Sequence, residues 1–495
     1  MQLRRLDQRI ALGLALAALL IRLPFRSHYL YHWDSVNFAL SLERYDVRLH
    51  QPHPPGYFLY SMLGRVVNVV AQDANASLVW ISVLSGALGV VALYWLGTSM
   101  FNHQVGVGAA VLALTGPLTW FYSEIALSYA LEFLLVTILA GLCYQQLTGL
   151  RRDGLVSALL LGIAGGVRQN DLVFLFPLWL VSLHRLSWRQ RIASGAVLGV
   201  VVIAWAGPMV MLSGGPVGYW AALQAESSGI VGDSPLYSLR QLGLNVGRLG
   251  IYVGYGLLLG TIPLLWGVLP LVRQARAHLM DRRAWVLLMW VAPAAGFYVL
   301  VHLRQHGHIF TFLPALILLA SLATMKLGQH LGKANLAQPL AAILVAAVVI
   351  TNALFYFLAP PSLFGSERLP LRTPTWQSIV QRDRDLGERI AYIKSHFAPE
   401  HTIVLAGGLD FRHPDFYLRE FQFTSLSYRL GEDVTILPDN VHALVLFNDM
   451  TLPQFAADPR FQSLSLPSGV VIRYVMWDDD QRVSLSQTSF VIDHR

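Results

Sequence analysis

The chain has 495 residues, of which 55% are hydrophobic and only 13% charged, where a soluble globular chain carries roughly twice that charged fraction. That balance excludes a soluble enzyme. The net charge of +7 does not point to nucleic acid either, because most of the excess sits in short basic loops between long apolar runs, the pattern of cytoplasmic loops in polytopic membrane proteins.

The apolar lengths predict about eleven spanning helices, near 9–25, 76–99, 105–122, 127–147, 154–168, 171–186, 192–213, 251–272, 284–303, 309–326 and 338–359. The expected fold class is a polytopic α-helical membrane protein with a small C-terminal α/β extramembrane domain, divided as 1–360 and 361–495. At the N-terminus the basic stretch 1–9 precedes the first apolar run. Arg22, Pro24 and Arg26 follow it where a signal peptide would show small residues for cleavage, so a retained helix is expected.

The next stretch is long, aromatic and amphipathic, and forms an expected external loop at 26–75. It carries Asp34 among Tyr29, Tyr31, Trp33 and Phe38, then His53-Pro54-Pro55-Gly56-Tyr57, which stops one helix and starts another. Such a loop is expected to lie along the membrane surface, as is the apolar run 57–71 with Arg65. Asp34 reads either as an N-cap for the run Val36, Phe38, Ala39, Leu42 or as a catalytic carboxylate. Glu124, after Tyr122-Ser123, reads either as a cap or as a group that binds a divalent metal or orients an acceptor hydroxyl. Cys143, the single cysteine, lies in an apolar run, so the chain forms no internal disulfide.

Arg168, between a Gly-rich helix and the next one, pairs with Asp171 or with a phosphate through forked hydrogen bonds. His302, Arg304, His306 and His308 alternate at i, i+2, a spacing poor for one metal on a helix and better suited to a polar pocket of Arg304 and His308 near a lipid phosphate. Arg4, Arg5, Arg151, Arg152, Arg185, Arg189, Arg191, Arg273, Arg276, Arg282, Arg283, Lys326 and Lys333 all fall on one side when the N-terminus is cytoplasmic. An odd number of spans then puts Asp34, Glu124, Arg168, the histidine cluster and the C-terminal domain outside.

After Pro360-Pro361 and the prolines from Pro370 to Pro374 the charged fraction rises to a soluble level. A helix is predicted at 375–397, strands at Thr402–Ala406, Val434–Leu437, Ala443–Phe447 and Val470–Met476, and helical turns at 412–421 and 452–458. Gly407-Gly408 follows a strand but lacks the GxGxxG spacing, so no nucleotide cofactor is expected.

The chain resembles the GT-C superfamily of integral-membrane glycosyltransferases, in its bacterial branch similar to protein O-mannosyltransferases and the aminoarabinose transferase of lipid A. The resemblance rests on the first helix followed by Trp33-Asp34, on His53-Pro54-Pro55-Gly56-Tyr57, on Tyr122-Ser123-Glu124, on Gly165-Gly166-Val167-Arg168, and on the Phe310–Leu318 run with Pro314. It covers roughly residues 8–360. It departs in having Asp34-Ser35 where many relatives have Asp-Glu, and Ser128 where an acid is common. The resemblance implies a polyprenyl-phosphate sugar donor, Asp34 as the essential acid of the first external loop, and an acceptor hydroxyl on a glycolipid, glycan or protein at the extracytoplasmic face of a bacterial plasma membrane. Trp33, His53, Pro54, Pro55 and Tyr57 would shape the loop, and a divalent metal is possible. A lipid or sugar transporter and a non-catalytic assembly protein are the alternatives. A transporter should carry polar groups at mid-membrane and internal repeats, and apart from Glu132 the predicted helix interiors are almost free of charge.

Overall fold

The structure, a computed structural model, describes residues 5–231, 238–273, 281–332, 336–362, 373–421, 435–448, 457–486 and 490–494. Arg4, Arg276, Lys333, Pro370, Val434 and most of the helical turn predicted at 452–458 lie outside the described residues. Two compact units are formed, one by Met1–Arg26 with Ser41–Ser378, the other by Ser27–Leu40 with Ile379–Arg495.

The first unit is helical: α1 (Arg5–Arg22), the C-terminal end of α2 (Trp33–Glu43), α3 (Phe58–Ala71), α4 (Ala74–Met100), α5 (His103–Thr115), α6 (Pro117–Tyr122), α7 (Tyr129–Thr148), α8 (Leu155–Val167), α9 (Gln169–Ser182), α10 (Trp188–Leu212), α11 (Gly215–Val231), α12 (Leu239–Leu257), α13 (Thr261–Arg273), α14 (Arg282–Leu300), α15 (Leu313–Leu331) and α16 (Ala337–Leu358). Among the described residues, seven helices are long and apolar enough to cross a membrane, against the eleven expected: Arg5–Phe25, Ala74–Met100, Tyr129–Thr148, Trp188–Leu212, Leu239–Gly267, Arg282–Leu300 and Ala337–Leu358. The chain is an integral membrane protein.

The shortfall has local causes. The run 105–122 is two helices, because a residue before proline is pushed out of the helical region and Gly116 accordingly takes φ −59°, ψ 128° ahead of Pro117. The Thr119 hydroxyl donates to the carbonyls of Ala113 (2.6 Å) and Gly116 (2.8 Å), restoring partners at the break. The 13 residues of α5 reach about 20 Å, short of a hydrocarbon core of about 30 Å. The span expected at 251–272 is also corrected. The helix begins at Leu239 and breaks at Leu258, whose φ is 43°. Gln241, Asn245 and Arg248 hide its first half from a hydropathy reading. Asn245 is nevertheless fully buried, and its Nδ2 donates to the carbonyls of Tyr298 (3.3 Å) and Val299 (3.2 Å). The stretch expected to lie on the surface is α3, with Phe58, Tyr60, Ser61 and Gly64 buried and Val66, Val69 and Val70 exposed.

In membrane bundles helices approach closely where side chains are small. Here α4 and α5 meet through Gly97 and Gly106: a Cβ on Gly97 would lie 2.8 Å from the Gly106 Cα, and one on Gly106 would lie 2.2 Å from the Thr98 Oγ1 and 2.7 Å from the Tyr94 carbonyl oxygen.

The second unit holds the N-terminal end of α2, the main part of α17 (Trp376–His396), the short helix α18 (His413–Tyr417) and two sheets. Strands β1 (Thr402–Leu405), β3 (Ala443–Leu446), β5 (Val471–Met476) and β4 (Gln462–Ser465) form one sheet in the order β1-β3-β5-β4, with β1 parallel to β3 and the other pairs antiparallel. Strands β2 (Thr435–Ile436), β6 (Gln481–Leu485) and β7 (Phe490–His494) form an antiparallel second sheet. Successive side chains of a strand point to opposite faces. Ile403, Leu405, Leu444 and Leu446 accordingly share a core with Val483, Leu485 and Phe490 of the second sheet, while Val404, Ala406 and Val445 pack with Leu386, Ile390, Ile393 and Phe397.

Gly106→Ala should cost about 1–3 kcal/mol by overpacking, because the obstructing atoms include the Tyr94 carbonyl oxygen and the Thr98 amide nitrogen, which cannot rotate away. Thermal unfolding of the detergent-purified protein reads this; an unchanged melting temperature would contradict the close packing of α4 on α5.

Candidate functional site

Asp34 is the second residue of α2, not its N-cap. The cap is His32: its carbonyl accepts from the Val36 amide (3.2 Å) and its Nδ1 accepts from the Asp34 amide (3.0 Å). The Asp34 carboxylate stands in the first turn of α2. Its Oδ2 lies 3.3 Å from His32 Nδ1, with side-chain exposures of 13% for Asp34 and 3% for His32. The amide contact puts the imidazole proton on Nε2 and a lone pair on Nδ1. Trp33 stands between the His32 ring (4.3 Å) and the Phe411 ring (6.0 Å).

Behind this segment the second unit buries charge. Asp410 accepts from Arg382 Nη2, from Arg389 Nη1 (3.3 Å) and from Asn448 Nδ2 (2.9 Å). These cations hold the Asp410 carboxyl well below the usual carboxylate range. Burial, reinforced by the Arg382 guanidinium, pushes the His413 imidazole down to about 3.

In the first unit, His53-Pro54-Pro55-Gly56-Tyr57 forms a tight corner. The peptides Gln51-Pro52 and Pro54-Pro55 are cis, Gly56 has φ 128° and Tyr57 φ 42°. Tyr219 donates to the Pro55 carbonyl (2.8 Å) and Tyr45 to the Gly56 carbonyl (2.5 Å). A Cβ on Gly56 would lie 2.8 Å from the Tyr45 hydroxyl. The corner presents the Tyr57 ring, against which His53 packs at 4.7 Å, to Arg168 at 5.5 Å.

Arg168 joins α8 to α9 in extended conformation (φ −142°, ψ 111°) and is 5% exposed. The ion-pair partner in the structure is Glu132 rather than Asp171. Its Nε lies 2.9 Å from Glu132 Oε2, its Nη1 donates to Ser128 Oγ (3.1 Å), and its guanidinium sits over the Tyr129 ring at 4.4 Å. Glu132, fully buried in α7, also accepts from the Thr311 hydroxyl (2.6 Å), and the Thr311 carbonyl accepts from Trp290 Nε1 (2.6 Å). Tyr129 donates to Gln305 Oε1 (3.1 Å), and Tyr122 pairs with His306 Nδ1 (2.6 Å). Gly307 is where the Tyr129 ring fits, since a Cβ there would lie 2.3 Å from it. Asp171 is fully buried nearby.

The remaining candidates have contacts of their own. Glu124 is fully buried; its Oε2 accepts from the Tyr356 hydroxyl, with the Arg22 guanidinium as its nearby cation. Arg304 is exposed, and its carbonyl accepts from the Tyr252 hydroxyl (3.0 Å). His308 stacks on Tyr298 at 5.1 Å and stands 5.8 Å from His302. Among the described residues no three His, Cys, Asp or Glu side chains converge as a metal site.

Residues 44–191 match the family model of the protein O-mannosyl-transferase TMEM260 N-terminal domain. Among curated protein sequences none matches. The crystal structure of ArnT from Cupriavidus metallidurans bound to undecaprenyl phosphate superposes with a TM-score of 0.52 at 15% identity, covering 94% of this chain and 97% of that one. The apo state of the same protein gives 0.50 at 14% identity, covering 95% and 97%. At these identities the likeness is one of fold. The chain has a GT-C fold.

Within that GT-C fold, Glu132, His32 and Ser128 are the residues to which sequence alone assigned no site role. A lone carboxylate in an apolar run, a histidine two residues before an acid and a serine at a helix start each read as incidental. Charge in a predicted span was the usable signal for Glu132.

Glu132→Gln should cost about 3–5 kcal/mol, since it leaves a buried guanidinium without its counter-charge. Replacing Arg168 and Glu132 together by apolar residues of similar volume should recover much of that loss in thermal unfolding, and failure to recover would give Arg168 another anionic partner.

His413 also sets a pH dependence. Its folded value lies below the ordinary 6.5, so between about 3 and 6.5 the unfolded state binds a proton that the folded state refuses, and stability falls as pH falls. Lowering the pH from 6.5 to 5 should cost this unit roughly 2 kcal/mol. Asp410 acts in the same direction, but only below about 3.8. Amide protection in β1 and β3, corrected for intrinsic exchange, should drop roughly tenfold or more; pH-independent protection would contradict the neutral His413.

Proposed function

We propose that the chain is a membrane glycosyltransferase that moves a sugar from a polyprenyl-phosphate donor to an acceptor hydroxyl on a glycolipid, glycan or protein, at the extracytoplasmic face and with inversion. The carrying observation is Asp34: a carboxylate outside the spanning helices, partly exposed in the first turn of a helix, in a chain with the GT-C fold. The similar ArnT structure binds undecaprenyl phosphate, which supports a polyprenyl-phosphate donor here.

In this reading Asp34 takes the proton of the acceptor hydroxyl as its oxygen attacks the anomeric carbon. The proton then resides on the Asp34 carboxyl, whose Oδ2 lies 3.3 Å from His32 Nδ1. The transition state resembles an oxocarbenium ion, and single-step attack from the face opposite the lipid phosphate inverts the centre. The departing phosphate leaves as an anion, so it needs a cation rather than a proton. The candidate cations are Arg304, which is exposed, and Arg168, which is buried beside Glu132. His308 is the neighbour of Arg304 in its stretch of chain. Glu124, bound by Tyr356 and beside Arg22, is better suited to holding α6 and α16 together than to meeting an acceptor. The basic loops support a cytoplasmic N-terminus and an extracytoplasmic second unit.

The purified protein in detergent, with no membrane gradient, should release lipid phosphate when given a panel of polyprenyl-phosphate sugars and hydroxyl acceptors. Asp34→Asn keeps shape but removes the base and should lower turnover about 10²- to 10⁴-fold with thermal unfolding unchanged. Full turnover by a folded Asp34→Asn protein would remove Asp34 from the base role. Gradient-dependent movement of lipid or sugar across vesicles, with no bond made or broken, would overturn the enzyme reading.

A further inference from the structure

The segment before Asp34 has no secondary structure of its own to satisfy its backbone, yet its polar groups are taken up one after another by side chains more than 350 residues away. The Asp383 carboxylate accepts from the amides of His28 (2.7 Å) and Tyr29 (3.1 Å) and from the Ser27 hydroxyl (2.9 Å). The Tyr417 hydroxyl accepts from the Leu30 amide (2.8 Å). His413 Nε2 donates to the Leu30 carbonyl (2.8 Å), and Arg382 Nε donates to the Tyr31 carbonyl (3.2 Å). The next residue, His32, is the cap that fixes the first turn of α2 and touches the Asp34 carboxylate.

The anchors are themselves fixed. Arg382 and His413 are buried, and Arg382 is held by Asp410, which Arg389 and Asn448 hold in turn. The 2.8 Å contact with a carbonyl requires the His413 proton on Nε2, since a carbonyl only accepts. Gly387 leaves room for the Tyr29 ring, whose hydroxyl would stand 3.0 Å from a Cβ at that position. A side chain whose rotamer is locked by a buried network transmits position to what it binds, and a displacement of about 1 Å at a reacting group costs on the order of 100-fold in rate.

We propose that Arg382, His413, Asp383 and Tyr417 are positioning residues for Asp34: the unit formed by Ser27–Leu40 and Ile379–Arg495 sets where the carboxylate stands by binding the backbone that leads to it. This rests on the reading of Asp34 as the base. The C-terminal segment Ile379–Arg495 is thereby part of the catalytic apparatus, although none of these four side chains is assigned contact with substrate.

Two mild variants of the full-length protein test it. Arg382→Lys keeps a cation opposite Asp410 but loses the Nε–H that reaches the Tyr31 carbonyl. Tyr417→Phe removes one hydroxyl and keeps the ring. Hydrogen exchange of the amides of residues 28–34 should quicken tenfold or more in both, with β1 and β3 amides unchanged as the control for folding. Turnover with the polyprenyl-phosphate sugar that serves the parent protein should fall tenfold or more while KM for that donor stays the same. Unchanged exchange of residues 28–34, or full turnover despite quickened exchange, overturns the proposal. Asp34→Asn run in parallel separates the two readings. If it is inactive while Arg382→Lys and Tyr417→Phe are fully active, the positioning role alone fails; if it is active, the base reading itself fails.

Discussion

An ion placed inside a helical bundle has to bring its counter-ion and its hydrogen bonds with it, because the surrounding hydrocarbon supplies neither. Glu132 and Arg168 meet that requirement at 2.9 Å, and much of the first unit is arranged around the pair. The chain stays extended at Arg168 between α8 and α9. Thr311 gives up its hydroxyl to Glu132 and its carbonyl to Trp290. Tyr129 and Tyr57 face the guanidinium. The strained corner at Gly56 and Tyr57 exists in a place where its geometry delivers an aromatic ring to a buried cation. The pair is a structural centre in its own right, whatever ligand approaches the bundle.

The second unit solves the opposite problem. Its buried charges, Asp410 with Arg382 and Arg389, sit in a small soluble-type core between sheet and helix, and they are turned toward a segment from the other end of the chain. Burying a charge pair there contributes little net stability compared with apolar residues of the same volume. What it contributes is direction, because a guanidinium held by a carboxylate can donate at one angle only. The Tyr31 carbonyl receives that donor.

Much of this was legible in the sequence where a period or a breaker carried it. The helix predicted at 375–397 is found at Trp376–His396 because Ile379, Leu386, Ile390 and Ile393 repeat at helical spacing. The strands at 402, 443 and 470 show as continuous or alternating apolar runs. Strand β4, Gln-Ser-Leu-Ser at a sheet edge and mostly exposed, has no such signature, and β6 and β7 pair chiefly with each other. The polar half of α12 was illegible because its Asn245 is buried by bonding carbonyls, which hydropathy does not register. At the candidate site, Asp34, Tyr57 and Arg168 stood out by residue type in an aromatic or apolar setting. Glu132 stood out as a charge in a predicted span but without its partner. His32 and the anchors Arg382, Asp383 and His413 did not stand out, since each owes its place to a partner distant in sequence or, for His32, to a cap geometry that spacing alone does not reveal.

The membership of Ser27–Leu40 in a unit otherwise made of Ile379–Arg495 has a consequence for the order of synthesis. The ribosome makes this segment near the start of the chain and its anchors near the end. At about 5–20 residues per second, Tyr31 waits roughly 20 to 70 seconds before Arg382 is made. Throughout that interval the Asp34 segment has its neighbours in the chain but not its fold, so the acid is assembled last although it is translated first.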